Sequence, residues 1–547
     1  MKIPFSALKE KDEQLKEMLL GKYGSDVKEY KIMKECKWKK EKKEVFYDIF
    51  LKQAPFYIKN RPKNHLIPRI CIRSGFLETY ILRWQQTDFP DERFYHSDCN
   101  GLYAHISLIN TFPVGKYQVL LTNDLLNNIT FESGQHFYKD QPLSGSAAHV
   151  RILAPTHLKK PFLSFRSTKE HNFMSLCRTC VEKNENEPVT KCGHTSENSR
   201  YFESCWMVTE LDKAVSLGYV ILHWFEVHFF KEKSYLLSNY VSILSALKLQ
   251  NTGCDPNFNF EEKQLYCDKI NAKLNVPEKF KITPDNIADN PGKKQFFKSM
   301  LNNYLGKFIQ NTQHSTYDFF TTQHQLEKCC FDPNNEIVGI YPFSEDLCQV
   351  EYKPILSNLK PSKKANLYIG AEIISKARVH IYNCIEQLEA ASARIFFVDT
   401  DGIGYSLHKS IQNPIEFSNC TGDFKSVQTN IQSFHALGNR NYTIGYIDSS
   451  NTLKYDYKVK GLTLTSEHVS NLLSPNLYAN FLDKNFLSEF DEIYLPQVKN
   501  QVNVVDKISV QKMHPVKFTN NLFVKRYVKP QLQCQTYETF PYGYKEN

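Results

Sequence analysis

The sequence predicts an α+β protein of several lobes, and three observations carry that reading. Residues 93–122 are β-rich around Asp98, residues 235–312 are mainly helical, and Ala393-Arg-Ile-Phe-Phe-Val398 reads as a buried strand that delivers Asp399, Thr400 and Asp401. A chain of 547 residues has room for roughly three or four domains and a large core.

Taken in order, residues 1–64 read as charged helix or coil, with Phe46, Ile49, Phe50 and Leu51 as an apolar patch. The first part of the main sheet is expected over 65–125, where Thr111-Phe-Pro-Val-Gly115 supplies a turn. Residues 126–234 read as an insertion, because polar sequence such as Glu182-Lys-Asn-Glu-Asn-Glu-Pro188 flanks a Cys/His cluster. The helical block 235–312 holds a helix that opens at Asn290-Pro291 and stops near Gly306. Lys294, Lys298 and Asn302 recur every four residues on it and so share one face. A second, polar insertion spans 313–365, and the rest of the sheet is expected over 366–470. There, Ala371 to Leu388 has helical periodicity. The following strand turns at Asp401-Gly402-Ile-Gly404 and continues as Tyr405-Ser-Leu407, a β-hairpin with acids at its tip. Residues 471–547 form a last lobe and tail.

The 68 basic and 59 acidic residues leave a formal charge of +9, which mildly favours a polyanionic partner. The N-terminus has no apolar stretch suited to a signal peptide, and no run of 18 apolar residues follows, so a soluble intracellular protein with no membrane partner is expected. Fifteen cysteines, several closely spaced, fit reduced thiols or a metal site better than a disulfide framework.

Asp98, Asp399 and Asp401 each follow a strand, and carboxylate oxygens at strand ends are what Mg²⁺ ions need to clamp nucleotide phosphates. The carbonyl of Cys99 is a further oxygen ligand of the kind hard cations accept. Lys298 would neutralise a leaving phosphate, Lys294 would meet the nucleotide one turn earlier, and Tyr103 could lie beneath the sugar and exclude a 2′-hydroxyl. Taken singly, each has an ordinary reading. Asp-Thr-Asp is a common turn, lysines at this spacing are usually a solvated face, and a lone tyrosine is usually core. Their joint occurrence and order point to nucleotidyl transfer.

That order is familiar. Asp98-x-x-x-Leu102-Tyr103, Lys298-x-x-x-Asn302-x-x-x-Gly306 and Asp399-Thr400-Asp401 resemble motifs A, B and C of family B DNA polymerases. More narrowly they resemble the protein-primed branch found in viruses, linear plasmids and Polinton-type mobile elements. Pro68-Arg69, Asn439-Arg-Asn-Tyr442, Lys458-Val-Lys-Gly461, Lys525-Arg526 and Thr539-Phe-Pro-Tyr-Gly-Tyr544 extend the likeness from about residue 65. The resemblance implies a right-hand polymerase with a mixed or antiparallel palm sheet, helical fingers, a thumb, and insertions between the motifs. It implies Asp98 and Asp401 as principal metal ligands and Asp399 as the third catalytic acid. Lys298 and Asn302 would contact the nucleotide and Tyr103 would be the sugar gate. Arg440 and Tyr442 would hold the primer terminus, and Lys458 and Lys460 would touch template-primer phosphates. Two Mg²⁺ ions, or Mn²⁺, deoxynucleotides, a DNA template-primer and a terminal priming protein follow as cofactors and partners. The sequence departs from the pattern at Gly402, Gly101, Asn303, Leu305 and Ser74-Gly75, and no proofreading carboxylate set precedes the palm. The alternative is a decayed mobile-element copy that only binds nucleic acid.

Cys177-x-x-Cys180 and Cys192-x-His194, with Cys205 further on, offer ligands for a structural Zn²⁺. A reduced, buried cysteine patch is the competing reading.

Overall fold

The computed structural model describes residues 66–167, 172–184, 192–311, 315–355, 365–460, 493–503, 508–518, 525–529 and 537–546, the segments 493–503 and 508–518 by backbone only. The chain divides between His65 and Leu66. The expectations for 1–64, and most of those for 471–547, lie outside the described residues. Among the described residues no helix is long and apolar enough to cross a membrane.

The architecture is mixed α/β with many antiparallel sheets. Its centre is a five-stranded sheet in the order Leu77–Thr79, Arg394–Asp399, Gly402–His408, Glu92–Cys99, Phe424–Gln428, antiparallel at every pairing. The strand Arg394–Asp399 is a continuous apolar run because both faces of the sheet are covered. On one face lies the helix Leu367–Ala390, whose Ile373, Ile381, Ile385 and Leu388 share a core with Val398, Ile403 and Tyr405. The Asn366 side chain caps that helix by accepting from the Ile369 amide at 3.2 Å. On the other face Phe94, Phe396, Phe397 and Phe434 pack together, with Phe94 and Phe396 centroids 4.9 Å apart. They seat a second sheet of Arg83–Gln85, Ile431–Ala436, Tyr442–Ile447 and Leu453–Lys458. Truncating Phe396, which is fully buried, to alanine would cost about 3–5 kcal/mol.

The stretch 93–122 is not β throughout. After the strand Glu92–Cys99, Gly101 adopts φ +61° and Leu102–Ile109 is a helix burying Leu102, Ala104, Ile106 and Leu108. Its apolar letters at 102, 104, 106 and 108 alternate as in a strand, but burial on several sides of the helix overrides that pattern. The strand Phe112–Val114 then pairs with Glu232–Ser234.

Within the expected first insertion, Phe202–Met207, Ala147–Leu153 and Val220–Phe229 form a sheet that also takes in Gln118–Leu121, upstream of residue 126. A buried ion pair from Arg378 Nε to Glu210 Oε1, 2.6 Å, ties the helix Val208–Ser216 to the long helix Leu367–Ala390. The helical block contains Ser238–Gln250, Phe260–Leu274 and Pro291–Phe308. Asn290 caps the last of these by accepting from the Lys293 amide at 3.0 Å. The polar stretch after it folds as a three-stranded sheet in the order Thr316–Phe320, Leu347–Pro354, Asn335–Ser344.

Candidate active site

The site is built on a hairpin. Arg394–Asp399 and Gly402–His408 pair with Asp399 opposite Gly402, and the Asp98 strand pairs on the far side with Asp98 also opposite Gly402. Acids from two segments about 300 positions apart in the sequence are therefore brought to one end of three adjacent strands. The turn is tight: the Asp401 amide donates to the Asp399 carbonyl at 2.8 Å, and the Cys99 amide donates to the Asp401 carbonyl at 2.8 Å. Thr400 sits at φ +65°, a region that a β-branched residue rarely adopts. Two contacts hold it there. Its amide donates to the Phe76 carbonyl at 2.7 Å, and Gly75 passes so close that a Cβ there would lie 2.6 Å from Thr400 Cγ2. The Ser74 carbonyl accepts in turn from Arg378 at 3.1 Å. The Ser74-Gly75 step thus serves close backbone approach to the acidic turn. Gly402 has a similar reason: a Cβ there would meet Asp98 Oδ1 at 2.7 Å.

The three carboxylates differ in charge environment. Asp399 is buried, and burial pushes its carboxyl up. Hydrogen bonds and charge from Lys458 and Arg440 outweigh this and hold it below the usual range. Arg440 also donates to Thr400 Oγ1 at 3.1 Å. Asp401 is held above the usual range, first by burial and then by the neighbouring charge of Asp98. Among the described residues neither Asp98 nor Asp401 has a cation within ion-pair distance. Two half-buried carboxylates that repel each other and lack a protein cation fit a divalent metal, whereas Asp399 is already neutralised.

Tyr103 begins the helix after Asp98. Burial, then the charge of Asp401, raise its hydroxyl pKa. Its carbonyl accepts from the Tyr304 hydroxyl at 2.8 Å, and that hydroxyl also lies 2.6 Å from Ser107 Oγ. The helix Pro291–Phe308, bearing Lys294, Lys298 and Asn302, is thereby fastened to the helix that follows Asp98. Lys298 and Asn302 are exposed and Lys294 is half-buried. Tyr442 is largely core, stacked on Phe397 at 4.7 Å; burial and then Asp399 raise its hydroxyl pKa. Lys458, its cross-strand partner, stands over its ring at 5.9 Å. Lys460 is exposed.

One cation escaped the sequence reading. Lys248 on Ser238–Gln250 is lowered by burial and then by the charges of Lys298, Lys425 and Lys294. Lys425 also bears on Asp401 and stands opposite Asp98, so these lysines gather next to the acids, an arrangement suited to a polyanion that carries a divalent metal. No local signal marks Lys248, because its neighbours come from other segments.

Cys177, Cys180, Cys192 and His194 place their ligand atoms within 4.8 Å of one another. His194 Nδ1 lies 3.5, 3.4 and 3.7 Å from the three sulfurs. A tetrahedral Zn²⁺ with Zn–S near 2.3 Å and Zn–N near 2.0 Å has N···S edges of about 3.5 Å, so the donor set fits. Cys205 is not part of the cluster. It lies buried on Phe202–Met207 beside Cys71 and Met207, and its carbonyl accepts from Arg73 at 2.9 Å. Its place in the strand fixes it in another core, whatever its distance in sequence.

No protein-family model and no curated protein matches the sequence. Among solved structures the chain is similar to phi29 DNA polymerase. Against its orthorhombic crystal form the TM-score is 0.49 at 13% identity, and against its complex with primer-template DNA and incoming nucleotide substrates 0.49 at 14%. Against its complex with single-stranded DNA the score is 0.48 at 14%. The first two alignments cover 87% of this chain and 66% of the other, and the third covers 83% and 61%. The chain therefore spans about two thirds of the length of the polymerase chains it matches.

Proposed function

We propose that this chain is a template-directed DNA polymerase that adds deoxynucleotides to a primer 3′-hydroxyl, in the manner of protein-primed family B enzymes. The observation that carries the reading is the convergence of Asp98, Asp399 and Asp401 at one end of three adjacent strands of the central sheet. In this reading the five-stranded sheet is the palm, the block 235–312 the fingers, and the C-terminal lobe the thumb.

Asp98 and Asp401, with the Cys99 carbonyl, would hold Mg²⁺, which when bound activates a hydroxyl nucleophile and neutralises a pyrophosphate leaving group. Asp399 acts as a charged pivot that fixes Arg440 and Lys458, so that their outer faces meet the primer strand. Lys294, Lys298 and Lys248 draw the triphosphate to the fingers, and Asn302 orients it. Tyr103 lies against the sugar and disfavours a 2′-hydroxyl. Lys460 contributes to the backbone contacts with DNA. A terminal priming protein and a viral or mobile-element origin are part of the same proposal. The Cys177, Cys180, Cys192 and His194 cluster would hold one structural Zn²⁺.

Primer extension with Mg²⁺ and dNTPs, comparing the native protein with Asp401→Ala, tests the reading. The variant should lose on the order of 10³-fold in rate, about 4 kcal/mol of transition-state stabilisation. Equal extension by both would exclude the site. DNA binding without extension by the native protein would favour the binding-only alternative.

A further inference from the structure

We propose that Lys425 is the contact that the sheet itself offers to the phosphate tail of the incoming nucleotide, across from the lysines of the helical block. The assignment rests on the polymerase reading and adds a residue that no motif marks. Its basis is strand register. The outer strand Phe424–Gln428 pairs antiparallel with Glu92–Cys99, and Lys425 stands directly opposite Asp98. Directly opposed residues of an antiparallel pair project from the same face. Lys425 therefore shares the face of the sheet from which Asp98 presents its carboxylate, on the side away from the acidic hairpin.

That side is where the helical block meets the sheet. Lys273 of Phe260–Leu274 forms an ion pair with Asp423, and Lys269 lies 3.9 Å from Glu416. Two residues after that anchor, Lys425 is exposed, and among the described residues it has no carboxylate partner within ion-pair distance. Asp98, its cross-strand neighbour, forms no ion pair with it, and the charge of Lys425 bears on Asp401. Its charge reaches Lys248 across the seam, together with those of Lys298 and Lys294. A triphosphate entering between acids and helices would thus meet cations on two walls: Lys248, Lys294 and Lys298 on one, Lys425 on the other.

Titration with Mg²⁺ and fluorescent dATP, read by anisotropy, tests this without requiring turnover. Lys425→Gln should weaken dATP binding about tenfold and Lys425→Arg should retain most of it, because a charge-assisted contact to phosphate is lost in one and kept in the other. dAMP, which lacks the tail, should bind native protein and Lys425→Gln alike, and primer-template affinity should stay within about twofold. Equal dATP affinity in native protein and Lys425→Gln would overturn the assignment and leave the polymerase reading intact. So would a fall in DNA affinity with dATP binding unchanged, which would make Lys425 a template contact. Failure of the native protein itself to bind dATP would overturn both.

Discussion

Asp399 holds two cations at once: Arg440 Nε lies 2.7 Å from its Oδ1 and Lys458 Nζ 2.8 Å from its Oδ2. The carboxylate is 8% exposed while the two cations are about half exposed, so solvent screens the pairs and each alone is worth little. Losing both would strand a buried charge. Arg440→Ala and Lys458→Ala should each destabilise by about 1 kcal/mol or less, and the double variant by about 3 kcal/mol, more than the sum. Denaturant unfolding of the four proteins measures this; strict additivity would show that the cations act independently. Because the Asp399 carboxyl is held below its ordinary range, the stabilisation is present above the unfolded carboxylate pKa and disappears as pH falls through the folded one.

The main chain at Tyr103 is pinned by the Tyr304 hydroxyl, so replacing its ring should leave the backbone in place. Tyr103→Val should therefore raise ribonucleotide incorporation relative to deoxynucleotide, by on the order of 100-fold, with extension from dNTPs retained. Competition assays with paired nucleotides read the ratio. An unaltered ratio removes the sugar-gate assignment.

The Cys/His cluster also anchors the end of the chain. The Leu176 amide donates to the Tyr542 carbonyl at 2.8 Å, Lys545 Nζ donates to the His194 carbonyl at 2.9 Å, and a Cβ on Gly543 would lie 2.6 Å from Cys177 Cβ. The segment then reaches the main sheet, where the Thr539 amide donates to the Tyr80 carbonyl at 2.8 Å and Arg526 meets Glu78 at 3.3 Å. Protein purified without chelator should carry about one zinc per chain, and Cys180→Ser should carry none. Hydrogen exchange at the Leu176 and Thr539 amides should accelerate in that variant. Zinc-free native protein with the same exchange rates would leave the cysteines as packing.

His435 is buried on Ile431–Ala436, and burial followed by the charge of Arg83 lowers its pKa to about 4. The unfolded chain binds the proton near pH 6.5, so stability is full above that value and falls as pH drops toward 4. This one group accounts for a loss on the order of 3 kcal/mol over that window. Unfolding free energies at pH 7 and pH 5 should differ less in His435→Gln than in the native protein. An identical pH slope in both would refute the assignment.

The parts of this protein that are legible in the sequence are the local ones. Asn290-Pro291 starts the helix Pro291–Phe308, and the apolar run before Asp399 is a strand because sheet burial on both faces demands continuous apolar letters. The acidic hairpin was readable for the same reason, since a turn and its flanking strands lie within one short window. The helix Leu102–Ile109 was not, because its apolar letters alternate as in a strand and only its burial in the fold, on several sides, makes it helical.

Sequence alone determined which residue types occur, their order, and the short elements that present them: the three aspartates, the lysine face and the Cys-x-x-Cys and Cys-x-His pairs. Tertiary structure decided their partners. Strand register set Lys425 opposite Asp98, the packing of two sheets brought Lys458 to Asp399, helix packing brought Lys248 to Lys298, and a strand carried Cys205 away from the other thiols. The physical reason is that backbone preference and burial pattern act over a few residues. Charge and metal geometry act through space, and only the folded chain fixes those distances.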